Sequence, residues 1–189
     1  MRLLSSALCC ALVCGALSAP TAKPTKKTRL YDCTGKIATA IQKFEKRRFS
    51  DVRAILDEVK IQCSGHPAMD TALYYLGMSL LKGKKTEEAK TEFQQLVRDF
   101  PGSAFQEEAH FRLGHASLIG SNTFDRDQTG THEAIRELNG YLDSYPEGEF
   151  SDSARAYLSE AREKLAKKQF MNARYYERID QHEAAVVYY

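Results

Sequence analysis

The sequence predicts an all-α fold, a solenoid of antiparallel helix hairpins, and three observations predict it. Pro101-Gly-Ser-Ala-Phe-Gln-Glu-Glu-Ala109-His-Phe-Arg-Leu113 returns 45 residues later as Pro146-Glu-Gly-Glu-Phe-Ser-Asp-Ser-Ala154-Arg-Ala-Tyr-Leu158, with Pro, Phe, an acid, Ala and Leu in the same slots. Ala40, Gly77 and Gly114 recur at intervals of 37, where a bulky side chain would hold adjacent helices apart. Between Gly and Pro punctuation, apolar residues keep the three-and-four spacing of helices with one buried face.

Within one unit, Leu76-Gly77, Ala89-x-x-x-Phe93 and Pro101 fit the tetratricopeptide pattern. The first hairpin is expected over Thr34 to Lys46 and Ser50 to Ile61, with Ser50-Asp51 as the cap of its second helix. The second runs from Ala68 to Leu81 and from Thr86 to Phe100. Thr86 is its expected cap, Glu87 and Glu88 suit the positive helix end, and Gly83 breaks the hairpin. Pro101 stops that helix, and the third hairpin opens near Phe105 and runs to Leu118.

The third unit departs from the period. Gly114 to Ala134 spans 20 positions where Gly77 to Ala89 spans 12, so eight extra residues enter the loop between its helices. That insertion, within 119–130, is polar and is expected to project from one face, where binding elements concentrate. Helix pattern resumes through Ala134, Leu138 and Tyr141, stops at Pro146, and restarts near Ser151. Phe170 to Tyr176 keeps helical spacing, and the stretch from Gln181 reads as the start of a further helix that ends before its expected Pro.

The N-terminus carries Met1-Arg2, an apolar run from Leu3 to Leu17, and Ser18-Ala19-Pro20, which reads as a signal peptide cut after Ser18. The expected organisation is a signal peptide over 1–18, a flexible basic linker over 19–32, and a tetratricopeptide-repeat domain over 33–189 whose last repeat is incomplete. Cys14 is a possible lipidation site, although Val13 precedes it where lipoprotein cleavage favours a small residue. With Cys9, Cys10 and Cys14 in the leader, Cys33 and Cys63 remain, at the same end of the first hairpin in a compartment that permits disulfides. A bond between them is expected to add about 3–4 kcal/mol by loop entropy.

Twenty-seven Lys and Arg against 25 Asp and Glu leave a formal charge of +2, too small and too evenly spread for counterion-driven nucleic-acid binding. His66, His110, His115, His132 and His182 lack metal-ligand spacing, and Asp125-Arg-Asp127 lacks the register of a calcium loop. Neither a nucleophile elbow nor a phosphate-binding Gly loop is present. The reading is therefore of a binding protein with no catalytic residues, metal or cofactor. Two groups have interface character: Phe124, Asp125, Arg126, Asp127 and Gln128 in the inserted loop, and Tyr175, Tyr176 and Arg178 near the C-terminus.

Asp125-Arg-Asp-Gln-Thr129, Ala134-Ile135, Tyr145-Pro146, Leu165-Ala166, Ala173-Arg-Tyr-Tyr176 and Ala184-Ala185 together resemble the BamD-type family, tetratricopeptide lipoproteins of the outer-membrane β-barrel assembly machinery. The resemblance is closest from Asp125 to Tyr189; residues 31–118 share mainly the repeat spacing. It implies a periplasmic scaffold of five tandem repeats at the inner face of the outer membrane, associated peripherally or by a lipid anchor. It implies as partners the barrel-forming subunit and unfolded outer-membrane proteins. The stop at Tyr189 falls before the last helices through which family members reach accessory subunits. A soluble periplasmic tetratricopeptide coordinator of cell-wall synthesis remains the alternative.

Overall fold

A computed structural model describes residues 31–189; the signal peptide, Cys14 and nearly all of the linker lie outside the described residues. The described chain folds as α1 (Cys33–Glu45), α2 (Phe49–Gln62), α3 (Met69–Lys82), α4 (Thr86–Asp99), α5 (Gln106–Gly120), α6 (Thr129–Ser144), α7 (Ser151–Arg178) and α8 (His182–Tyr188). No strand occurs among the described residues, and the architecture is the all-α solenoid of helix hairpins.

Each hairpin closes through a residue too small to hold its helices apart. A Cβ placed on Gly77 would stand 2.7 Å from the Phe93 ring of α4, and one on Gly114 would stand 2.8 Å from Leu138 of α6. Phe93 and Leu138 are fully buried, so neither can move aside cheaply. Ala40 in α1 and Ala173 in α7 are equally inaccessible.

Seven residues after the small one, the chain turns through the left-handed region, at Arg47 (φ 58), Lys84 (φ 59) and Asp180 (φ 57). The next amide then reaches back five residues, as Arg48 does to Lys43 (2.9 Å), Lys85 to Leu80 (3.0 Å) and Gln181 to Tyr176 (3.0 Å). The second hairpin therefore turns at Lys84; Gly83 keeps an ordinary φ of −84 and does not make the break expected of it. The same turn delivers the chain into its next helix without a side-chain cap. Arg48 and Lys85 hold the cap positions, so Ser50 and Thr86 lie inside their helices and do not cap them. The side-chain cap that does form is Asp32, whose carboxylate accepts from the Gly35 amide at 2.9 Å.

The third hairpin carries the insertion in place of this turn, and the fourth departs in another way. By the Pro146 register the small slot would fall at Ser159, which is exposed; the buried small residue comes at Ala173, 14 residues later. α7 is thus extended by about four turns. Its first half packs Leu158 and Ala161 against residues of α5 and α6, and its second half makes the hairpin with α8.

The odd-numbered helices touch one another directly. Phe44 of α1 meets Tyr75 of α3 edge to face at 5.2 Å, the Tyr74 hydroxyl donates to Glu108 of α5 at 2.8 Å, and His115 of α5 stacks on Tyr157 of α7 at 4.4 Å. Among the described residues the even-numbered helices are bridged by long side chains, Lys60 to Glu92 at 2.6 Å and Lys90 to Glu133 at 2.7 Å. Closer spacing on one side places α1, α3, α5 and α7 on the inner face of the solenoid.

An acid at the start of an odd helix fastens each inner hairpin at its open end. Asp70 accepts from Ser103 Oγ at 2.7 Å, and Glu107 accepts from the Glu149 amide at 2.7 Å and the Tyr141 hydroxyl at 2.9 Å. In the first hairpin the corresponding bond is a disulfide between Cys33 and Cys63, with Cα atoms 5.9 Å apart.

Replacing Gly77 or Gly114 by Leu overpacks a closed crossing and is expected to cost a few kcal/mol, about 1–3 for the added methylenes and more where backbone must move. Thermal unfolding measures it, and midpoints near wild type for both variants would contradict the packing described.

Candidate protein-binding surface

The inserted loop does not project. It folds back onto the extended part of α7, because three lysines one and two turns beyond Ala161 reach it. Lys164 Nζ donates to Ser121 Oγ at 2.6 Å, Lys168 Nζ donates to the Arg126 carbonyl, and Lys167 Nζ sits 4.5 Å from the centre of the Phe124 ring. These lysines lie some 40 residues away on another helix and carry no local pattern, so sequence reading missed them.

Most of the polar residues in the loop maintain its own shape. Gln128 is buried, donates to the carbonyls of Thr123 (2.7 Å) and Arg126 (3.0 Å), and accepts from Thr131 Oγ1 at 2.9 Å. Asp127 accepts from the amide and hydroxyl of Thr129 at the start of α6, both at 3.1 Å. The Thr123 hydroxyl donates to Asp125 and holds its carboxyl below the usual aspartate range. Phe124 is partly buried, and the Arg126 side chain is exposed. Phe124, Lys164 and Lys167 border an open crevice of about 370 Å³ between loop and helix.

The second group sits farther along the same helix, about 10 Å beyond Lys168 at 1.5 Å per residue. Tyr176 stacks on Tyr188 of α8, with ring centres 5.4 Å apart, and so belongs to the α7–α8 contact. Tyr175 is half exposed with the Arg178 guanidinium 5.7 Å from its ring centre. Met171 precedes them by one turn and is also half exposed, which makes a continuous strip of apolar and cationic surface along α7. That combination of a large apolar body and polar tips is what protein interfaces favour.

A third feature lies on the inner face. Phe44, Phe49, Tyr74 and Tyr75, with Glu45, Arg47 and Lys82, line a groove of about 410 Å³ between α1, the start of α2 and α3. Tyr74 also stacks on Phe105 at 4.3 Å, which carries the aromatic run toward α5. Tyr74 and Tyr75 remain partly exposed.

Farther along the inner face His115 packs flat on Tyr157, and its Nδ1 is buried without a partner. Burial, followed by the positive charges of Arg112 and Lys82, pushes its pKa down to about 4. His110 lies edge-on to Tyr141 and Tyr145, and burial lowers it as well.

Residues 114–188 match the family described as YfiO, an outer membrane lipoprotein, and residues 71–103 match a tetratricopeptide repeat. No curated protein matches the chain. The two matches support a BamD-type tetratricopeptide lipoprotein, as the residues from Asp125 onward indicate, and tie the chain in general terms to outer-membrane protein assembly. Both are scaffold or repeat families.

A folded-state pKa below the free-imidazole value means that neutral His115 contributes its full stability above pH about 6.5 and loses it as pH falls toward 4. Thermal midpoints of the wild type should therefore drop more between pH 7.5 and 5 than those of His115→Gln. Equal drops would show that the imidazole is solvated in the folded protein.

Proposed function

We propose that the protein is a scaffold subunit of the machinery that assembles β-barrel proteins in the outer membrane, working in the periplasm at the inner face of that membrane. The observation that carries this reading is the position of the outer-membrane lipoprotein match: residues 114–188 include both the inserted loop and the α7–α8 strip. Tyr175 and Arg178, with Met171 beside them, take the barrel-forming subunit. Phe124 and Arg126 at the loop extend that contact, while Asp125, Asp127 and Gln128 keep the loop in place for it. The aromatic inner groove suits unfolded outer-membrane clients, whose alternating apolar side chains can insert between rings while Arg47 and Lys82 meet their acids.

The alternative, a soluble periplasmic coordinator of cell-wall synthesis, draws on Val13 before Cys14, since a cut after Ser18 leaves no lipid anchor. Co-purification from detergent-solubilised envelope separates the two. Recovery of a large barrel protein supports the scaffold, and recovery of wall-synthesis enzymes alone would overturn it.

Tyr175→Ala and Arg178→Ala should each weaken binding to the barrel-forming subunit by more than about 1 kcal/mol with helix content unchanged. Tyr176→Ala should instead loosen α8, because its ring packs on Tyr188. Pull-down alongside circular dichroism checks this, and intact binding by both exposed-site variants would remove the strip from the interface.

A further inference from the structure

The 37-residue interval that relates the helix crossings also relates Cys33, Asp70 and Glu107, each at the start of an inner helix. All three do the same work. Asp70 reaches Ser103 beyond the end of α4, Glu107 reaches the Glu149 amide beyond the end of α6, and Cys33 reaches Cys63 just after α2. Each one ties the open end of its own hairpin, but only the first does so with a bond that reduction can break.

We infer that the Cys33–Cys63 bond is a redox-dependent latch on the α1–α2 hairpin, closed when oxidised and open when reduced. The first hairpin depends on its latch more than the others do. Among the described residues α1 packs against α2 and α3 alone, whereas each inner hairpin has a neighbour on both sides. Among the described residues, the polar cross-links near Cys33 include an exposed contact between Thr34 Oγ1 and His66 Nε2 at 3.3 Å and a surface pair of Lys36 with Glu58 at 3.5 Å. Asp32, the nearest acid, is committed to the Gly35 amide. Two free thiols in place of the bond would leave at most a weak S–H contact.

Accessibility gives the exchange a direction. Cys63 is 4% exposed, whereas Cys33 is partly open to solvent. An external thiolate attacks Cys33 Sγ, the Cys33–Cys63 bond breaks, and Cys63 leaves as a thiolate that takes a proton. A second external thiolate then attacks the mixed disulfide on its external sulfur and releases Cys33, so two external thiols become one disulfide as the protein gains two electrons and two protons. Closure is the reverse, with a small-molecule or protein disulfide as the electron acceptor. When α1 opens, Phe44 leaves Tyr75, and the inner aromatic groove loses the wall formed by α1.

Hydrogen exchange on the mature chain, with and without a phosphine reductant, tests the latch, and mass measurement after alkylation verifies the thiol state. Reduction should speed exchange across α1 and α2 by roughly several hundredfold, the factor expected for releasing a loop closed over 30 residues, and leave α5 and α6 unchanged. Cys33→Ser with Cys63→Ser should behave as the reduced protein does. Cys33→Asp with Cys63→Ser and His66→Ser rebuilds the acid and hydroxyl of the second hairpin, and should regain protection that reductant no longer alters. Unchanged α1–α2 exchange in verified reduced protein would overturn the proposal. So would an aspartate variant no better protected than the double serine.

Discussion

Two helices of a hairpin in this protein approach until only a hydrogen or a methyl group fits between them, and the other regularities follow from that approach. With Gly77 facing Phe93 and Gly114 facing Leu138, the crossing point of each hairpin is defined along both helices. Once the crossing is set, the turn must begin seven residues later, which is why Arg47, Lys84 and Asp180 accept a left-handed backbone that side chains ordinarily disfavour by about 1–2 kcal/mol. The bond from the next amide, five residues back, offsets part of that cost.

α7 is the element that departs furthest from the repeat. Extending it by about four turns before the Ala173 crossing leaves its middle without a partner from an even-numbered helix. The eight-residue insertion lies against that stretch, held through Lys164, Lys167 and Lys168. One departure from the period thus supports the other, and the strip at Tyr175 and Arg178 is carried on a helix braced at its midpoint. A binding surface gains from such a mount, since less conformational entropy is lost when a partner docks on a pre-ordered helix.

Features written in local spacing were legible in the sequence: the small-residue slots, the Pro stops, the eight-residue excess and the helical character from Ser151 to Tyr176. Features that depend on distant groups were not. Ser50 and Thr86 have the chemistry of caps, but the left-handed turns at Arg47 and Lys84 put Arg48 and Lys85 in the cap positions and carry both residues into their helices. The loop looked free because its partners lie on α7, and Gln128 looked available although its amide is spent on the carbonyls of Thr123 and Arg126. Tyr175 and Tyr176 are neighbours of the same type, and only the position of Tyr188 separates the exposed ring from the packed one. The series Cys33, Asp70 and Glu107 was present at the same interval as the crossings, yet three different residue types disguised it.

The proposed function requires that α7 present Tyr175 outward to a protein of the outer-membrane assembly machinery. A photoreactive residue placed at position 175 in the full chain, activated in intact cell envelopes, tests that directly. The expected result is a covalent adduct with the barrel-forming subunit, absent when the same residue is placed at the buried position of Ala173. Adducts with wall-synthesis enzymes only, or none with any protein while the variant folds as wild type, would contradict it.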